Sequence, residues 1–401
     1  MNLSMDARGG SEVDGVASAT LVLEHVVMPN PEGGIFLDYA EDGGIINVFD
    51  SDIAGSFGFY NSRIAWIWGS RFGRLSLLQA DPAASYQLGL SNVVVDGSQR
   101  DDGLLRLDSR GEVSLYQVVV QDTRYGLYVD EIPESLTIEG LRYLRNQRPM
   151  KVVVGADFTI RRSEFRDNRP IEENEPEEPG ALWVQAGGAH VVVEDSTFAD
   201  NTGTSDTSGA VLVEAGAELT LRNTTFYNNS FTVTAASVAA RGGAIGYRSD
   251  ANDTVLTLQN VTILAPLFTP TGMQGSALGG RGLGSDVTLN IFNSVLAGSC
   301  RSDGATPDFA VGNVKTSGDS CGFGSGNLLG VSRADLALGT LGDHGGPTAT
   351  LLPADGSVAI DAGVALGCLA TDQRGLPRPA GAACDAGAVE TNDSIFANGF
   401  N

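Results

Sequence analysis

The stretch Phe158-Thr-Ile-Arg-Arg-Ser-Glu-Phe165 has apolar residues at its first, third and eighth positions and a small residue at its sixth. The same pattern, apolar-x-apolar-x-polar-small-x-apolar, occurs ten times along the chain, and such recurrence is typical of repeat proteins. The shortest spacings predict a unit of roughly 22 to 25 residues, and the wide gap after the second copy leaves room for an eleventh. The ten copies are Leu21–Met28, Ile46–Ile53, Leu88–Val95, Val113–Val120, Leu136–Tyr143, Phe158–Phe165, Val191–Phe198, Leu219–Phe226, Leu256–Ile263 and Leu289–Leu296.

Each octamer contains a corner. Its first and third residues share one face of a strand, yet its sixth and eighth residues share that face too, which a single alternating strand does not allow. The chain must therefore turn near the fourth or fifth residue. Asn and Asp tolerate a left-handed backbone, so their frequent use at the fifth position favours a turn there. They occur as Asp50, Asn92, Asp195, Asn223, Asn260 and Asn293.

A further strand precedes the octamer in several units. It opens with glycine and continues with β-branched or aromatic residues that show no helical period, as at 103–107, 180–184, 209–213 and 243–247. Three short strands per unit predict an all-β, single-stranded parallel β-helix of about ten coils. Right-handed crossovers are strongly preferred between parallel strands, so a right-handed solenoid is expected. An antiparallel sandwich is the alternative.

The composition limits the partners of the chain. The 25 basic residues, of which only Lys151 and Lys315 are lysines, stand against 49 acidic residues, and the formal net charge is -24. This charge has the wrong sign for binding nucleic acid through its phosphates. The apolar fraction of 42% excludes a disordered chain. Without a run of 18 apolar residues no membrane span is expected, and residues 1–16 lack the pattern of a secretory signal peptide.

One loop between units is strongly acidic. The segment Ile171–Pro179 holds five glutamates and two prolines, which predicts an extended and solvated loop. A calcium site or a site for a basic partner is the alternative, because Ca²⁺ prefers carboxylate oxygens. Its candidate ligands are Glu172, Glu173 and Glu175.

The C-terminal quarter carries short motifs in a fixed order. They are Gly298-Ser-Cys300 with Cys321-Gly-Phe, Asn327-Leu-Leu-Gly330, Leu341-Gly-Asp-His-Gly-Gly-Pro347-Thr, Leu352-Pro-Ala-Asp-Gly-Ser-Val-Ala-Ile-Asp-Ala-Gly363, Thr371-Asp-Gln-Arg-Gly375 and Cys384-Asp-Ala-Gly-Ala-Val-Glu390. Together they resemble the choice-of-anchor Q domain of bacterial proteins, over about residues 290 to 390. The resemblance implies an exported or surface-attached protein whose right-handed β-helix is similar to pectin-lyase-like and polymorphic outer-membrane repeats. It implies no established reaction.

The expected organisation is an N-terminal extension at 1–16, a β-helix at 17–297, a loop-rich C-terminal cap at 298–391 and a tail at 392–401. The four cysteines, an even number, all lie in the cap, which favours two local disulfides. Their spacing does not match a zinc site. Since the resemblance places all four in an exported domain, Cys300 is expected to pair with Cys321, and Cys368 with Cys384.

Polar residues of the same quarter are interpreted as a structural network, with a calcium site as the alternative. These are Asp361, Asp372, Arg374, Asp385 and Glu390.

The glycine-led strands also predict a ligand face. Tyr128 and Trp183 would supply flat surfaces for sugar rings, and Arg106 and Glu214 would orient the ligand. When the glycine-led strands are aligned with one another, one outward column contains Arg106, Tyr128, Val153, Trp183 and Leu212. The next column contains Asp108, Asp130, Gly155, Gln185, Glu214 and Arg248, with Asp38 above.

Asp108 and Asp130 would lie about 5 Å apart on neighbouring coils. That separation suits a pair of glycosidase carboxylates or a shared calcium ion, and an ordinary solvent-facing strand end is the alternative.

Two functions follow from these residues: a secreted or cell-surface, adhesin-like rod that binds glycans, and a polysaccharide lyase or glycosidase on the same scaffold. The fold alone does not separate them. With so little lysine, only Arg106, Arg124 or Arg248 is a candidate base, which favours the binding role. We therefore assign no catalytic residue, with Asp108, Asp130 and Arg106 as the alternative. The expected partner of this monomer is an extended polysaccharide or surface glycan, with calcium as the one possible cofactor.

Overall fold

The chain folds as a right-handed parallel β-helix with a loop-rich C-terminal cap, as predicted. The computed structural model describes residues 11–13, 20–38, 44–60, 62–78, 86–107, 111–129, 135–153, 155, 157–171, 178–185, 188–204, 208–232, 242–248, 253–267, 276–281, 287–302, 306–316 and 320–391. Named strands in this part of the chain pair in parallel with the equivalent strands of neighbouring coils, which excludes the antiparallel sandwich.

The coils stack into three sheets. The first sheet, formed by the first half of each octamer, contains Thr20–Glu24, Gly44–Phe49, Ser62–Trp68, Tyr86–Ser91, Gly111–Tyr116, Ser135–Glu139, Asp157–Arg161, His190–Glu194, Val287–Phe292 and Phe309–Val311. The second sheet, formed by the second half, contains Val27–Met28, Val94–Asp96, Val119–Gln121, Arg142–Leu144, Glu164–Arg166, Thr197–Ala199, Val295–Ala297, Val314–Thr316 and Leu328–Val331. The third sheet, formed by the glycine-led strands, contains Ser11–Val13, Gly34–Asp38, Leu105–Leu107, Leu127–Val129, Met150–Val152, Leu182–Gln185, Val211–Glu214, Ile245–Arg248, Leu278–Arg281 and Cys300–Ser302.

Four long strands bend from one sheet into the next. Glu218–Tyr227 and Thr254–Leu264 run through the first and second sheets, and Asp52–Tyr60 and Arg71–Leu78 run through the second and third. A separate pair, Thr202–Gly203 with Ser230–Phe231, and one short helix, Arg333–Leu336, complete the elements of the described residues. Among those residues, no helix has the length and apolar character needed to cross a membrane.

The octamers pair in the register that the sequence predicts; Val113, for example, lies opposite Leu136. The eleventh unit also exists, because Ala65 pairs with Ile46 on one side and with Leu88 on the other. Parallel stacking continues beyond Ala297, where Val295 pairs with Val314.

The interior is built from the predicted positions. In one octamer, Leu136 and Ile138 before the corner and Leu141 and Tyr143 after it are all buried. At the eighth position, rings stack along the axis: Phe165 and Phe198 lie 4.5 Å apart at 6°, and Phe198 and Phe226 lie 4.8 Å apart at 4°. Each coil therefore contributes equivalent side chains to one continuous core.

The fifth residue of the octamer adopts the left-handed conformation, with φ of 50° at Asp195 and 43° at Asn223. A second left-handed corner, which the sequence analysis missed, follows the octamer at Asp122, Arg145, Asp167, Asp200 and Asn228. The next residue in four of these coils is a buried asparagine. The amides of Asn146, Asn168, Asn201 and Asn229 bond to one another and to backbone groups along the axis.

The C-terminal quarter closes the end of the helix and covers one flank. The two disulfides are those predicted, Cys300–Cys321 and Cys368–Cys384. Cys300, Cys321 and Phe323 belong to the main apolar core, so this disulfide lies at its end. Residues 347–391 pack along the outward side of the second sheet, where the Gln373 amide donates to the Thr197 hydroxyl.

Candidate functional site

The predicted outward column exists on the third sheet, with one correction. Arg106 pairs with Tyr128, Tyr128 pairs with Lys151, and Lys151 pairs with Trp183. The sequence alignment placed Val153 between Tyr128 and Trp183, which is wrong by two residues. The error arose because this unit lacks the glycine that marks the strand in other coils. The correction brings a cation into the centre of the column.

Lys151 lies against the ring of Trp183, with its ammonium nitrogen 4.3 Å from the ring centroid. Trp183 is only 5% exposed, so its expected role as an open stacking surface is wrong. A cation over an indole face is attracted by the negative face of the ring. Trp183 therefore fixes the position of Lys151.

Glu214 is also buried, at 2% exposure. One carboxylate oxygen accepts a hydrogen bond of 2.9 Å from Nε1 of Trp183, and the other accepts one of 2.6 Å from Nε of Arg248. Glu214 and Arg248 also form an ion pair. Glu214 was predicted to contact the ligand, but these bonds commit its carboxylate to holding Trp183 in place.

Beside the column lies an open cavity of about 240 Å³. Arg106, Tyr128 and Lys151 form its floor along three successive coils. Its other lining residues are Leu104, Tyr125, Arg148, Pro149 and Glu178. We call this cavity the basic groove.

Hydrogen bonds made by a buried tyrosine hold the wall of the basic groove in place. The hydroxyl of buried Tyr143 donates to the Arg148 carbonyl at 2.6 Å and accepts from the Leu127 amide at 3.2 Å. Burial of this phenol raises its pKa, so it stays neutral and keeps its proton for donation. The Arg148 guanidinium, in turn, pairs with the buried Glu178.

The charge of the groove contrasts with that of the whole chain. Among its described lining residues, three are basic and one is acidic, and the acidic one, Glu178, pairs with Arg148. The Arg124 guanidinium lies 5.8 Å from the ring centroid of Tyr125, a residue that lines the groove. Basic side chains are therefore concentrated at this place on a molecule of net charge -24.

Several predicted site residues lie outside the described residues. These are Asp108, Asp130, Glu172, Glu173 and Glu175. Asp38 pairs through its backbone with Tyr60, above the groove in the third sheet. Within the described ranges, no group of three or more His, Cys, Asp or Glu side chains is placed to hold a metal ion.

Sequence reasoning missed Lys151, Arg148 and Tyr125. Lys151 had a usable signal, because it is one of only two lysines in the chain and the other, Lys315, is fully buried. Arg148 and Tyr125 follow the second left-handed corner, at Arg145 and Asp122. Since that corner was not recognised, their direction was not predictable.

The polar residues of the C-terminal quarter contact one another as expected of a structural network. Arg378 and Glu390 are buried and lie 2.9 Å apart, and Arg374 binds Asp372 at 2.7 Å. Asp385 accepts from the backbone amides of Asp361 and Thr391. Burial raises the pKa of Asp385 and of Glu390 and lowers that of Arg378.

Comparison with known proteins does not assign a family. No protein-family model matches the chain, and no curated protein matches it. Among solved structures, one described as the crystal structure of pectate lyase Pel9A is similar to 94% of this chain and 98% of its own, with 15% identity and a TM-score of 0.39.

Proposed function

We propose that this protein is an extracellular rod that binds an extended acidic polysaccharide along the basic groove. The observation that carries the proposal is the column Arg106, Tyr128 and Lys151, which presents two cations and an aromatic ring on three successive coils. Guanidinium and ammonium groups recognise carboxylates through charge-assisted hydrogen bonds. Tyrosine adds an apolar face and a polar hydroxyl for the sugar ring.

The charges close to a bound ligand affect its affinity more than the net charge of the molecule does. Exposed charges separated by more than about 8 Å are largely screened at physiological ionic strength. A uronate in the groove therefore interacts mainly with the charges close to it, which include those of Arg106 and Lys151, and less with distant acidic residues. The net charge still slows the approach of a polyanion and lowers its affinity as a whole.

The spacing of the column favours a polymer. Successive coils repeat side-chain positions about every 4.8 Å, so the three residues form a line about 10 Å long parallel to the axis. A compact small molecule would contact one coil or two. An extended chain contacts all three and continues over the neighbouring coils.

Two disulfides are consistent with an oxidising, extracellular environment. We propose further that the chain is a secreted or cell-surface protein, adhesin-like in role, whose last quarter is a choice-of-anchor Q domain. The ordered motifs and the cysteine pairing support this assignment.

The test is binding of polygalacturonate, with uncharged dextran as the comparison polymer, measured by calorimetry at low and physiological salt. Arg106→Ala and Lys151→Ala should each weaken polygalacturonate binding by about tenfold, because each removes a charge-assisted hydrogen bond. Arg71→Ala is the matched control, since Arg71 is exposed and lies on the second sheet, away from the groove.

Equal effects of the three substitutions, or equal binding of both polymers, would contradict the proposal. The same incubation is followed for unsaturated products and new reducing ends. Their appearance would replace the binding role by the alternative, a lyase or a glycosidase.

A further inference from the structure

We infer that the first sheet carries a second, separate binding site, for an uncharged extended glycan. It is formed by Phe49, Trp66, Trp68 and Tyr116, which we call the aromatic platform. Trp66 and Trp68 are 46% and 47% exposed, and Tyr116 is 47% exposed. The platform lies on a different sheet from the basic groove and goes beyond the function proposed for it.

The platform arises from the alternation of one strand. In Ser62–Trp68, Ala65 and Ile67 are buried in the core, so Trp66 and Trp68 both face outward. Of the three tryptophans in the chain, these two lie on one strand and one face, and the third, Trp183, is buried. Contiguous exposed apolar surface, as opposed to single exposed residues, is typical of interaction sites.

The rings form a line along the axis. Phe49 pairs with Trp68, Trp68 pairs with Ser91, and Ser91 pairs with Tyr116. These three steps span about 14 Å at the usual separation of strands. Trp68 and Tyr116 lie two coils apart, a distance of about 10 Å that is close to the length of a disaccharide unit in an extended β-linked glycan.

Trp66 lies flat on the sheet. Its benzene ring occupies the place where a Cβ would project from Gly89, the residue that pairs with Trp66 on the next coil. Glycine at this position lets the indole rest on the backbone with its other face turned to solvent. The arrangement provides a rigid planar surface, which is the form that stacks on a pyranose ring.

Charge identifies the class of ligand. Eight outward positions on four successive strands include no charged residue, and Glu24, Glu112 and Glu139 border them. The eight are Asn47, Phe49, Trp66, Trp68, Gly89, Ser91, Ser114 and Tyr116. In the following coils, the position equivalent to Tyr116 is charged, as Glu139, Arg161, Glu194 and Arg222. An uncharged patch on a chain of net charge -24 is complementary to a neutral ligand, and its amide and hydroxyl groups suit sugar hydroxyls.

Binding is tested with cellohexaose, mannohexaose and maltohexaose, by calorimetry and by tryptophan fluorescence of the intact protein. At least one hexasaccharide should bind, and Trp66→Ala and Trp68→Ala should each weaken it by about tenfold, since a stacking surface is lost. Trp68→Phe, which keeps a flat ring, should retain most of the affinity. Gly89→Ala should also weaken binding, because the added Cβ displaces the Trp66 ring.

Phe309→Ala is the matched control. Phe309 is 62% exposed and pairs with Asn290 in the same column as Trp66, at the opposite end of the rod. It should leave hexasaccharide binding unchanged. Because both tryptophans are exposed, the two alanine variants should keep the wild-type melting temperature, which separates a binding defect from unfolding.

Three results would overturn the inference: no binding of any of the three hexasaccharides, equal binding by the wild type and both tryptophan variants, or self-association of the wild type that Trp66→Ala abolishes. The last would make a second copy of the chain the occupant. Polygalacturonate binding should be unchanged in Trp68→Ala, so failure of this inference is distinguishable from failure of the function proposed for the basic groove.

Discussion

At the scale of single residues, Asp195 shows how a corner position acquires a second role. Its backbone makes the left-handed turn of the octamer, and its carbonyl accepts from the Thr348 hydroxyl of the C-terminal segment at 2.9 Å. Burial under that segment, together with the nearby Glu194 and Asp372, raises the pKa of the Asp195 carboxyl to about 6, although Asn223 donates to it. The docked segment therefore favours the protonated acid.

This shift predicts a pH dependence of stability. Between the ordinary pKa of 3.8 and about 6, the folded protein keeps a proton that the unfolded chain has lost, so the contribution of Asp195 to stability falls as pH rises through that window. Asp195→Asn tolerates the same left-handed corner and does not ionise. The free energy of unfolding of this variant, relative to that of the wild type, should increase by roughly 1 kcal/mol between about pH 4 and about pH 7.5. This figure allows for the partial solvent exposure of the carboxyl.

The measurement is chemical denaturation of both proteins at the two pH values. Asn92→Asp serves as the control, because it places a new carboxylate at an exposed left-handed octamer corner, away from Asp195. Parallel stability curves for Asp195→Asn and the wild type would show that Asp195 ionises as freely in the folded protein as in the unfolded chain.

At the scale of elements, a stack of aromatic rings inside the second sheet repeats the same contact on successive coils. Phe198 is fully buried between Phe165 and Phe226, with both rings nearly parallel to its own. Stacks of this kind join neighbouring coils, and the stability of a solenoid depends on the interfaces between neighbours.

Phe198→Ala removes one ring from both interfaces and should lower the free energy of unfolding by about 3 to 5 kcal/mol, the usual cost of a large-to-small change in a core. Phe309→Ala, at an exposed site, should change it by no more than about 0.5 kcal/mol. Urea denaturation of the two variants gives the comparison. Similar losses in both would mean that stacking inside the helix adds nothing beyond ordinary aromatic surface.

At the scale of the whole molecule, the C-terminal quarter couples distant coils. Gln373 contacts Thr197 and Thr225, and the Asn293 amide donates to the carbonyls of Val364 and Leu366. The Cys368–Cys384 disulfide closes the loop that contains Gln373. One covalent link therefore supports contacts that span several coils.

Replacing Cys368 and Cys384 together by serine should lower the free energy of unfolding by about 3 kcal/mol, the expected contribution of a disulfide that closes a loop of this length. Hydrogen exchange should rise in residues 361–391 and on the outward side of the coils that they cover. The coils at 20–78 should exchange as in the wild type, because each coil of a solenoid contacts only its neighbours and these coils are far from the disulfide. Faster exchange throughout the chain would indicate that the rod unfolds as one cooperative unit.

The sequence by itself determined the repeating part of this protein. Octamers such as Leu136–Tyr143 carry the alternation of buried residues and the left-handed corner within eight positions, so local chemistry predicts the strands and their register. The wide gap after the second copy left room for an eleventh unit, which the structure places at Ala65. The disulfide pairing was expected because each pair is local in sequence and because the resemblance places all four cysteines in an exported domain. The strands and corners depend on residues that are neighbours in sequence or one coil apart, and an alignment of the repeats of this chain shows both relations directly.

Only the tertiary structure decided the binding surfaces. The exact length of each loop sets which residue enters the outward column, and a difference of two residues separated Val153 from Lys151. Burial of Trp183 and Glu214 depends on contacts across coils, and so does the exposure of Trp66 and Trp68. Repetition constrains the inward residues of every coil in the same way, whereas each outward residue depends on which loops and segments pack over it.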